Sequence, residues 1–564
     1  MIYKLLVSDF AKEHLWKFIA YILLVIVFFP IEGILLPKIY GQMFEQIKSI
    51  SNFSDIYNWR ENFKKMNFSG SLVALIGLWF LVICSYTAKH QIEAALIPTY
   101  FSYLRDIIFK ETIHTYQNEY KDMKTGDYLA RVLELTRNFK DVFQHFLSRF
   151  IPELIVSTLI ICYMFFQHKY IGYVLLTGSL ICAVIQYFGS KTLISLISER
   201  ENFLNTKLSE NIRDTLDNLM NVFLNNEVEG EIKKNAELEK IAISKLRRIM
   251  FLQNGIVFCT QIITLITFAI SIFILYYLIS KNNIKVTHGI VLVIILGQFL
   301  NNFLYVNSGF IHNVVYRLGV IEASRDYLDN IFNKKQKRNI KTGITDGDII
   351  FKNVHFRYDT EKEDWLFENL NMHFEAGERY ALIGQSGGGK TTMMKMIAGL
   401  YVPERGSIYI DNIDVKHTDL EYLRENVNYF NQRTNLFNET ILYNMLYGNP
   451  DATEEQVITL LKKYDLIEIF ADLPDGIHAN AGIQGGNLSG GMQRVTMLIR
   501  GLLKSAKIVI MDEPTTGLDK GSTDKVIKLI LEETKGKTLI IISHSSSSSL
   551  LSSLRVLDIV DLKD

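Results

Sequence analysis

Gly384-Gln385-Ser386-Gly387-Gly388-Gly389-Lys390-Thr391 has the spacing G-x-x-x-x-G-K-[ST], and its neighbours give that spacing a physical meaning. Tyr380-Ala381-Leu382-Ile383 before it reads as a short buried strand, and Thr392 to Ile397 after it begins an amphipathic helix. A strand, a glycine turn and a helix in that order aim successive backbone N–H groups at phosphate oxygens, and the helix N-terminus adds a favourable dipole. Gly384 to Gly389 with Thr392 then form the cradle, Lys390 reaches the β and γ phosphates, and the Thr391 hydroxyl ligates Mg²⁺. A structural glycine turn would explain the glycines but not the lysine and threonine that follow them. A nucleoside triphosphate with Mg²⁺ is the expected ligand.

Outward from this loop the C-terminal part reads as α/β. Ile349 to Phe356 alternates like a strand. Ile508-Val509-Ile510-Met511 is an apolar strand ending in Asp512 and Glu513; the first acid can hold Mg²⁺ through water and the second can act as base for an attacking water. Leu539 to Ile542 is a further apolar strand that delivers Ser543 and His544 to its C-terminal edge, where open α/β sheets bind ligands.

The 564 residues exceed what one hydrophobic core serves, so at least two domains are expected. Residues 1–330 carry six long apolar runs, approximately Trp16–Leu36, Ser71–Tyr86, Ile151–Phe166, Ile171–Phe188, Gly255–Leu278 and Gly289–Tyr305, and a span needs about 20 residues. Residues 1–15 suit a short helix on the membrane surface. Glu32 is an intramembrane carboxylate that needs a partner or a cavity. Short polar links, Gln167–Tyr170 and Lys281–His288, join the third run to the fourth and the fifth to the sixth. About 60 residues separate the second from the third and the fourth from the fifth, and both segments read as helix-periodic without breakers. Each makes a hairpin reaching roughly 40 Å beyond the membrane at 1.5 Å per residue. Their Lys and Arg residues, among them Lys89, Arg105, Lys110, Arg247 and Arg248, place them in the cytosol, and an even number of spans puts both termini there too. Residues 331–348 read as a charged connector, and 349–564 as the nucleotide domain.

Formal net charge is zero, and no polybasic face argues for nucleic acid. Cys84, Cys162, Cys182 and Cys259 all lie in apolar runs, which fits free thiols better than a disulfide framework. The first apolar run is not followed by a small-residue cleavage site and is expected to be retained.

Between the glycine loop and the paired acids lies Asn487-Leu488-Ser489-Gly490-Gly491-Met492-Gln493-Arg494. Leu-Ser-Gly-Gly resembles the signature of the ATP-binding cassette (ABC) family. The glycine loop, Asp512-Glu513-Pro514-Thr515-Thr516-Gly517-Leu518-Asp519 and His544 stand in that family's order, and the resemblance covers the whole chain. It implies an exporter-type half-transporter: an α-helical six-span membrane domain fused ahead of one α/β P-loop cassette.

The resemblance also implies roles. Tyr358 matches the aromatic that stacks on adenine, and Gln432 the glutamine that approaches Mg²⁺ and the attacking water. His544 contacts the γ-phosphate, and Asp519 lies at the cassette interface. Ser489, Gly490 and Gly491 contact ATP held on a second cassette, so the implied partner is a second half-transporter chain, a copy of this one before a different one. Segments near Tyr116–Gly126 and Ile212–Asn221 match the helices that dock on cassettes. ATP binding then joins two cassettes and switches the exposure of the membrane cavity, and hydrolysis resets it.

Departures from the family pattern are Met492 where the signature has glutamine, the serine-rich Ser545–Ser549, and an end at Asp564 without a longer helical tail. None removes a catalytic group. The function expected is an ATPase that drives export across the bilayer from a multi-pass membrane protein with its cassette in the cytosol. An ATP-gated channel or sensor on the same fold is the alternative. The intramembrane polar residues Gln186, Gln261, Gln298, Asn301 and Asn302 are too scattered to specify a substrate.

Overall fold

The computed structural model describes residues 8–48, 68–118, 125–333, 338–358, 364–385, 387–431, 435–543 and 553–558. They divide into two compact units, Met1–Thr112 with Met123–Asn333 and Ile113–Asp122 with Lys334–Asp564.

The first unit is helical. Helices long and apolar enough to cross a membrane cover Leu15–Gln46, Gly70–Gln117, Arg131–Gln167, Lys169–Asp217, Val228–Ser280 and Val286–Ala323. Each apolar run forms one end of a longer helix. The Val228–Ser280 helix has 53 residues, which at 1.5 Å each is about 80 Å, more than twice the thickness of the hydrocarbon core. Only His168, in an extended conformation, separates the helix Ile151–Gln167 from Lys169–Phe203, so that link is shorter than expected.

Two expectations fail here. The segment after the second run does contain a breaker, Pro98, yet the helix Phe68–Asn118 continues through it. Leu96, Tyr100, Leu104 and Ile108 follow at helical spacing, all essentially buried. Their burial outweighs the roughly 3 kcal/mol that a helix-interior proline costs. Lys89 is not a solvated hairpin charge. It is 5% exposed, lies 3.3 Å from Glu93, and donates to the Ser148 carbonyl at 2.7 Å.

That carbonyl belongs to one of several places where the helices widen to π-type turns, Ile31–Leu35, Phe146–Phe150, Leu204–Leu208 and Phe310–Val315. A wider turn leaves carbonyls off the regular ladder, and buried side chains from other helices bond to some of them. Tyr21 Oη donates to the Leu147 carbonyl, and Gln253 Nε2 to the Ile311 carbonyl at 3.4 Å. Glu32, in the first of these turns, accepts from Tyr86 Oη at 2.9 Å. Some of the polar residues read as scattered are in fact paired: Gln186 with Asn307 at 2.7 Å, and Gln298 with Asn302 at 3.3 Å. All four cysteines are free.

The second unit holds two sheets. The antiparallel one is formed by β1 (Ile349–Phe356), β2 (Phe367–Phe374), β4 (Arg405–Ile410) and β5 (Ile413–Asp414), in the order β2-β1-β4-β5. The parallel one is formed by β3 (Arg379–Ile383), β6 (Val427–Phe430), β7 (Ile508–Asp512), β8 (Thr538–Ile542) and β9 (Arg555–Asp558), in the order β6-β7-β8-β3-β9. Every residue of β7 and β8 is buried, as a parallel sheet covered on both faces requires. Asp411, in the β4–β5 turn, accepts from the backbone N–H groups of Thr345, Asp346, Gly347 and Asp348 and so fastens the connector to the antiparallel sheet.

Candidate functional site

Sheet register assembles the site. Ile542 of β8 pairs with Leu382 of β3 on one side and with Asp512 of β7 on the other. The strand that feeds the glycine loop and the strand that ends in the acids therefore flank one central strand, all parallel. Neighbouring strands lie about 4.8 Å apart, so the loop, both acids and Ser543 gather at one edge.

Gly389 shows why the loop is glycine-rich. Its φ is +94°, and a Cβ there would come within 2.3 Å of the Phe367 ring. The helix Lys390–Ile397 starts at once after it. Lys390 is 5% exposed, and its Nζ donates to the Gly384 carbonyl at 2.7 Å and the Gln385 carbonyl at 2.9 Å. Burial lowers its pKa from the usual lysine value, against the opposing pull of Asp512, Asp558 and Glu513. A lysine that shares its proton with loop carbonyls and is poorly hydrated is disposed to exchange those bonds for phosphate oxygens.

Thr391 Oγ1 donates to Asp512 Oδ2 at 2.7 Å, so the two expected metal ligands, one from the first turn of the helix after the loop and one from the end of β7, meet. Both are hard oxygen donors, the kind Mg²⁺ prefers beside water and phosphate. Glu513 leaves β7 with a φ of +48°, in the left-handed region that glycine favours. Its N–H donates to the Ile542 carbonyl at 3.1 Å, and Thr516 Oγ1 donates to Glu513 Oε2 at 2.9 Å. The chain thus turns sharply at Glu513 and a hydroxyl three residues on holds the carboxylate.

Tyr358 is 66% exposed, edge-on to Phe356 and Tyr401, with its hydroxyl bonded to Thr392. Ser489 caps the helix Gly490–Leu502 by accepting from the Met492 N–H at 3.3 Å, with Gly490 and Gly491 in the first turn. Met492 packs its side chain against the apolar core and makes no use of the polar edge where a glutamine was expected. Asp519 caps the helix Lys520–Glu533 through the Ser522 N–H at 3.0 Å, and Ser522 holds its carboxyl below the usual range. Gly384, Gln385, Gly387 and Gly388 lie on the loop with Lys390. Ser386, Gln432 and His544 lie outside the described residues.

The sequence reading passed over Gln493 and Thr516. Gln493 Nε2 donates to the Gly485 carbonyl at 2.9 Å and the Leu488 carbonyl at 3.2 Å, which ties the loop before Ser489 to the helix after it. No sequence signal marks that role. For Thr516 a signal exists, a hydroxyl three residues beyond a carboxylate at a tight turn.

Comparison with known proteins places these parts. The family model described as ABC transporter matches residues 367–516, and the one described as ABC transporter transmembrane region matches 18–303. A Rickettsia felis chain provisionally named an export ATP-binding/permease protein is 27% identical over 453 residues, 77% of this chain and 75% of that one. P-glycoprotein 14 of Caenorhabditis elegans is 37% identical over 202 residues, 36% of this chain but 15% of its own length. The structure of a bacterial Atm1-family ABC exporter with ATP bound superposes with a TM-score of 0.77 over 96% of this chain and 93% of that one, at 20% identity.

Proposed function

The chain belongs to the ABC transporter family, membrane region and cassette alike, and from that premise we propose that it is an ATP-driven exporter acting as a dimer of half-transporters. The observation that carries the proposal is the meeting of Lys390, Thr391, Asp512 and Glu513 at one sheet edge of a chain that also has six span-length helices.

Thr391 and Asp512 would hold Mg²⁺, which when bound neutralises phosphate charge and polarises the γ-phosphate. Lys390 trades its carbonyl partners for the β and γ phosphates. Glu513, steadied by Thr516, accepts the proton of the attacking water; the family pattern assigns Gln432 and His544 to assist it and Tyr358 to the adenine. Ser489, Gly490 and Gly491 of one chain close over the ATP of the other, and Asp519 lies at that interface. Between the helices Ser209–Asp217 and Leu219–Leu224 the chain bends at Asn218, exposing Leu216, Met220, Phe223 and Leu224. This apolar tip is the surface that would dock on a cassette and carry its closure to the spans. The cassette and both termini then lie in the cytosol, where ATP is.

The test is reconstitution in lipid vesicles with Mg²⁺ and ATP, screening labelled solutes for accumulation. A pump concentrates a solute against its gradient and hydrolyses ATP faster in its presence. Solute movement that ATP starts but that only ever dissipates the gradient would replace the pump with a gated channel.

A further inference from the structure

Inside the membrane unit a cavity of about 180 Å³ lies between two of the widened turns. Phe146–Phe150 forms one wall and Phe310–Val315 the other, with Phe150 and Phe310 5.1 Å apart at 32°. His145, Arg149 and Glu153 enter it from one face of the third span, at spacings of about one turn, and Tyr305 and Asn313 from the sixth. Arg149 lies 4.9 Å over the Tyr305 ring. Among the described residues, neither Arg149 nor Glu153 has a hydrogen-bond or ion-pair partner in the chain, although they stand one turn apart. The carbonyls of the first wall are held by Tyr21 and Lys89, and that of Ile311 in the second by Gln253, so both walls are braced from behind.

Charged groups in a membrane span are costly and find partners when the chain supplies them, as Lys89 and Glu93 do. Arg149 and Glu153 instead line a shared space, near enough to attract each other but with no hydrogen bond or ion pair formed. An anion alone would satisfy Arg149 and be repelled by Glu153; a cation alone would do the reverse. Only a ligand with both charges, about one helical turn apart, matches both. The volume lies below the roughly 300–1,000 Å³ of drug-sized sites, so it takes a small molecule or the end of a longer one.

We propose that this cavity binds a zwitterion of amino-acid to dipeptide size, its anionic group at Arg149, its ammonium at Glu153 and its apolar part between Phe150 and Phe310. The site rests on the transport reading for its purpose, since it names the chemistry of the cargo or of a lipid bound in its path. A peptide with free termini and a phosphatidylethanolamine headgroup share this chemistry.

Binding of radiolabelled glycyl-phenylalanine is measured without nucleotide on the full chain in phosphatidylcholine nanodiscs, with and without phosphatidylethanolamine. N-acetylated and C-amidated dipeptides serve as competitors. Arg149→Gln and Glu153→Gln should each weaken binding at least tenfold, Arg149→Lys less, and either blocked peptide should compete poorly. Gly309→Leu supplies a variant that leaves the charges alone: Gly309 lines the cavity and a Cβ there meets nothing within 4 Å, so a larger side chain has room to start into the site. It too should abolish binding while ATP still binds. If phosphatidylethanolamine excludes the dipeptide, and Arg149→Gln or Gly309→Leu removes bound phosphatidylethanolamine, the site stands with a lipid as occupant. The proposal fails if neither zwitterion binds a protein that holds ATP, or if binding survives Arg149→Gln and Gly309→Leu unchanged. ATP hydrolysis followed on the same samples tests the transport reading separately, because the binding assay contains no nucleotide.

Discussion

Glu513 and Asp411 are both carboxylates at left-handed backbone positions, and each is held by neighbours for a different purpose. Removing a positioned general base costs about 10² to 10⁴ in rate, so Glu513→Gln should bind ATP normally and hydrolyse it more than about 100-fold more slowly. Near-normal turnover by a folded, nucleotide-binding variant would remove Glu513 from the mechanism. Asp411 is structural. Burial alone would raise its pKa, but the backbone donors of Gly347, Asp348, Thr345 and Asp346 prevail and hold it below the usual carboxylate value. A depressed folded pKa gives stability that is complete above the unfolded value of about 3.9 and lost as pH falls through the folded value. Asp411→Asn should therefore lower cassette stability by about 1.5–3 kcal/mol at pH 7, with the gap closing in acid below pH 3.9. Denaturation midpoints of both proteins across that range check it; a gap that widens in acid contradicts it. The loop through Lys390 and Thr391 was legible in the sequence because local spacing determines its geometry, whereas the approach of Asp512 to Thr391 depends on the register of β3, β7 and β8. Thr516 and Gln493 were not, because what they hold depends on how a turn folds back.

Helices and strands were legible where an apolar pattern runs unbroken, as in β7 and β8 and the six spans. The widened turns were invisible, since Phe146–Phe150 has nothing in its composition to distinguish it from regular helix; they depend on partners distant in sequence. Lys89 was misread for the same reason, as its charge is spent on Glu93 and Ser148 and not on water. Removing one member of a buried pair leaves the other uncompensated, at a cost of about 3–5 kcal/mol, whereas replacing both with apolar residues is often close to neutral. Lys89→Met should thus unfold well below wild type in detergent, and Lys89→Met with Glu93→Leu should recover most of the loss. A double variant that is worse than the single would mean that the contacts of Glu93 with Tyr21 Oη and His90, and not its pairing with Lys89, are what the fold needs from it.

At the scale of the whole molecule, one chain carries Lys390 and Ser489 once each, so the proposed dimer would have two composite ATP sites. Lys390→Ala and Ser489→Arg homodimers should both fail to trap nucleotide with vanadate. In a mixed dimer purified through two tags, one site collects both defects while the other joins a sound loop to a sound signature. Trapping should return at about one site per dimer. A verified, folded mixed dimer that traps nothing would exclude independent shared sites. Six spans and one cassette were readable as a half-transporter from motif order, but the cavity between the third and sixth spans was not. It joins residues about 160 positions apart, Arg149 and Phe310, and no local pattern links them.

The bent backbone at Glu513 bears on how this protein can be improved or can decay. A non-glycine residue at positive φ stores about 1 kcal/mol or more that glycine would release. Glu513→Gly should therefore raise the cassette's melting temperature by a few degrees while abolishing hydrolysis, which scanning calorimetry beside an ATPase assay would reveal. Directed evolution that rewards heat resistance alone will then drift toward inert proteins at this position, and a library screened for robustness must be counter-screened for turnover.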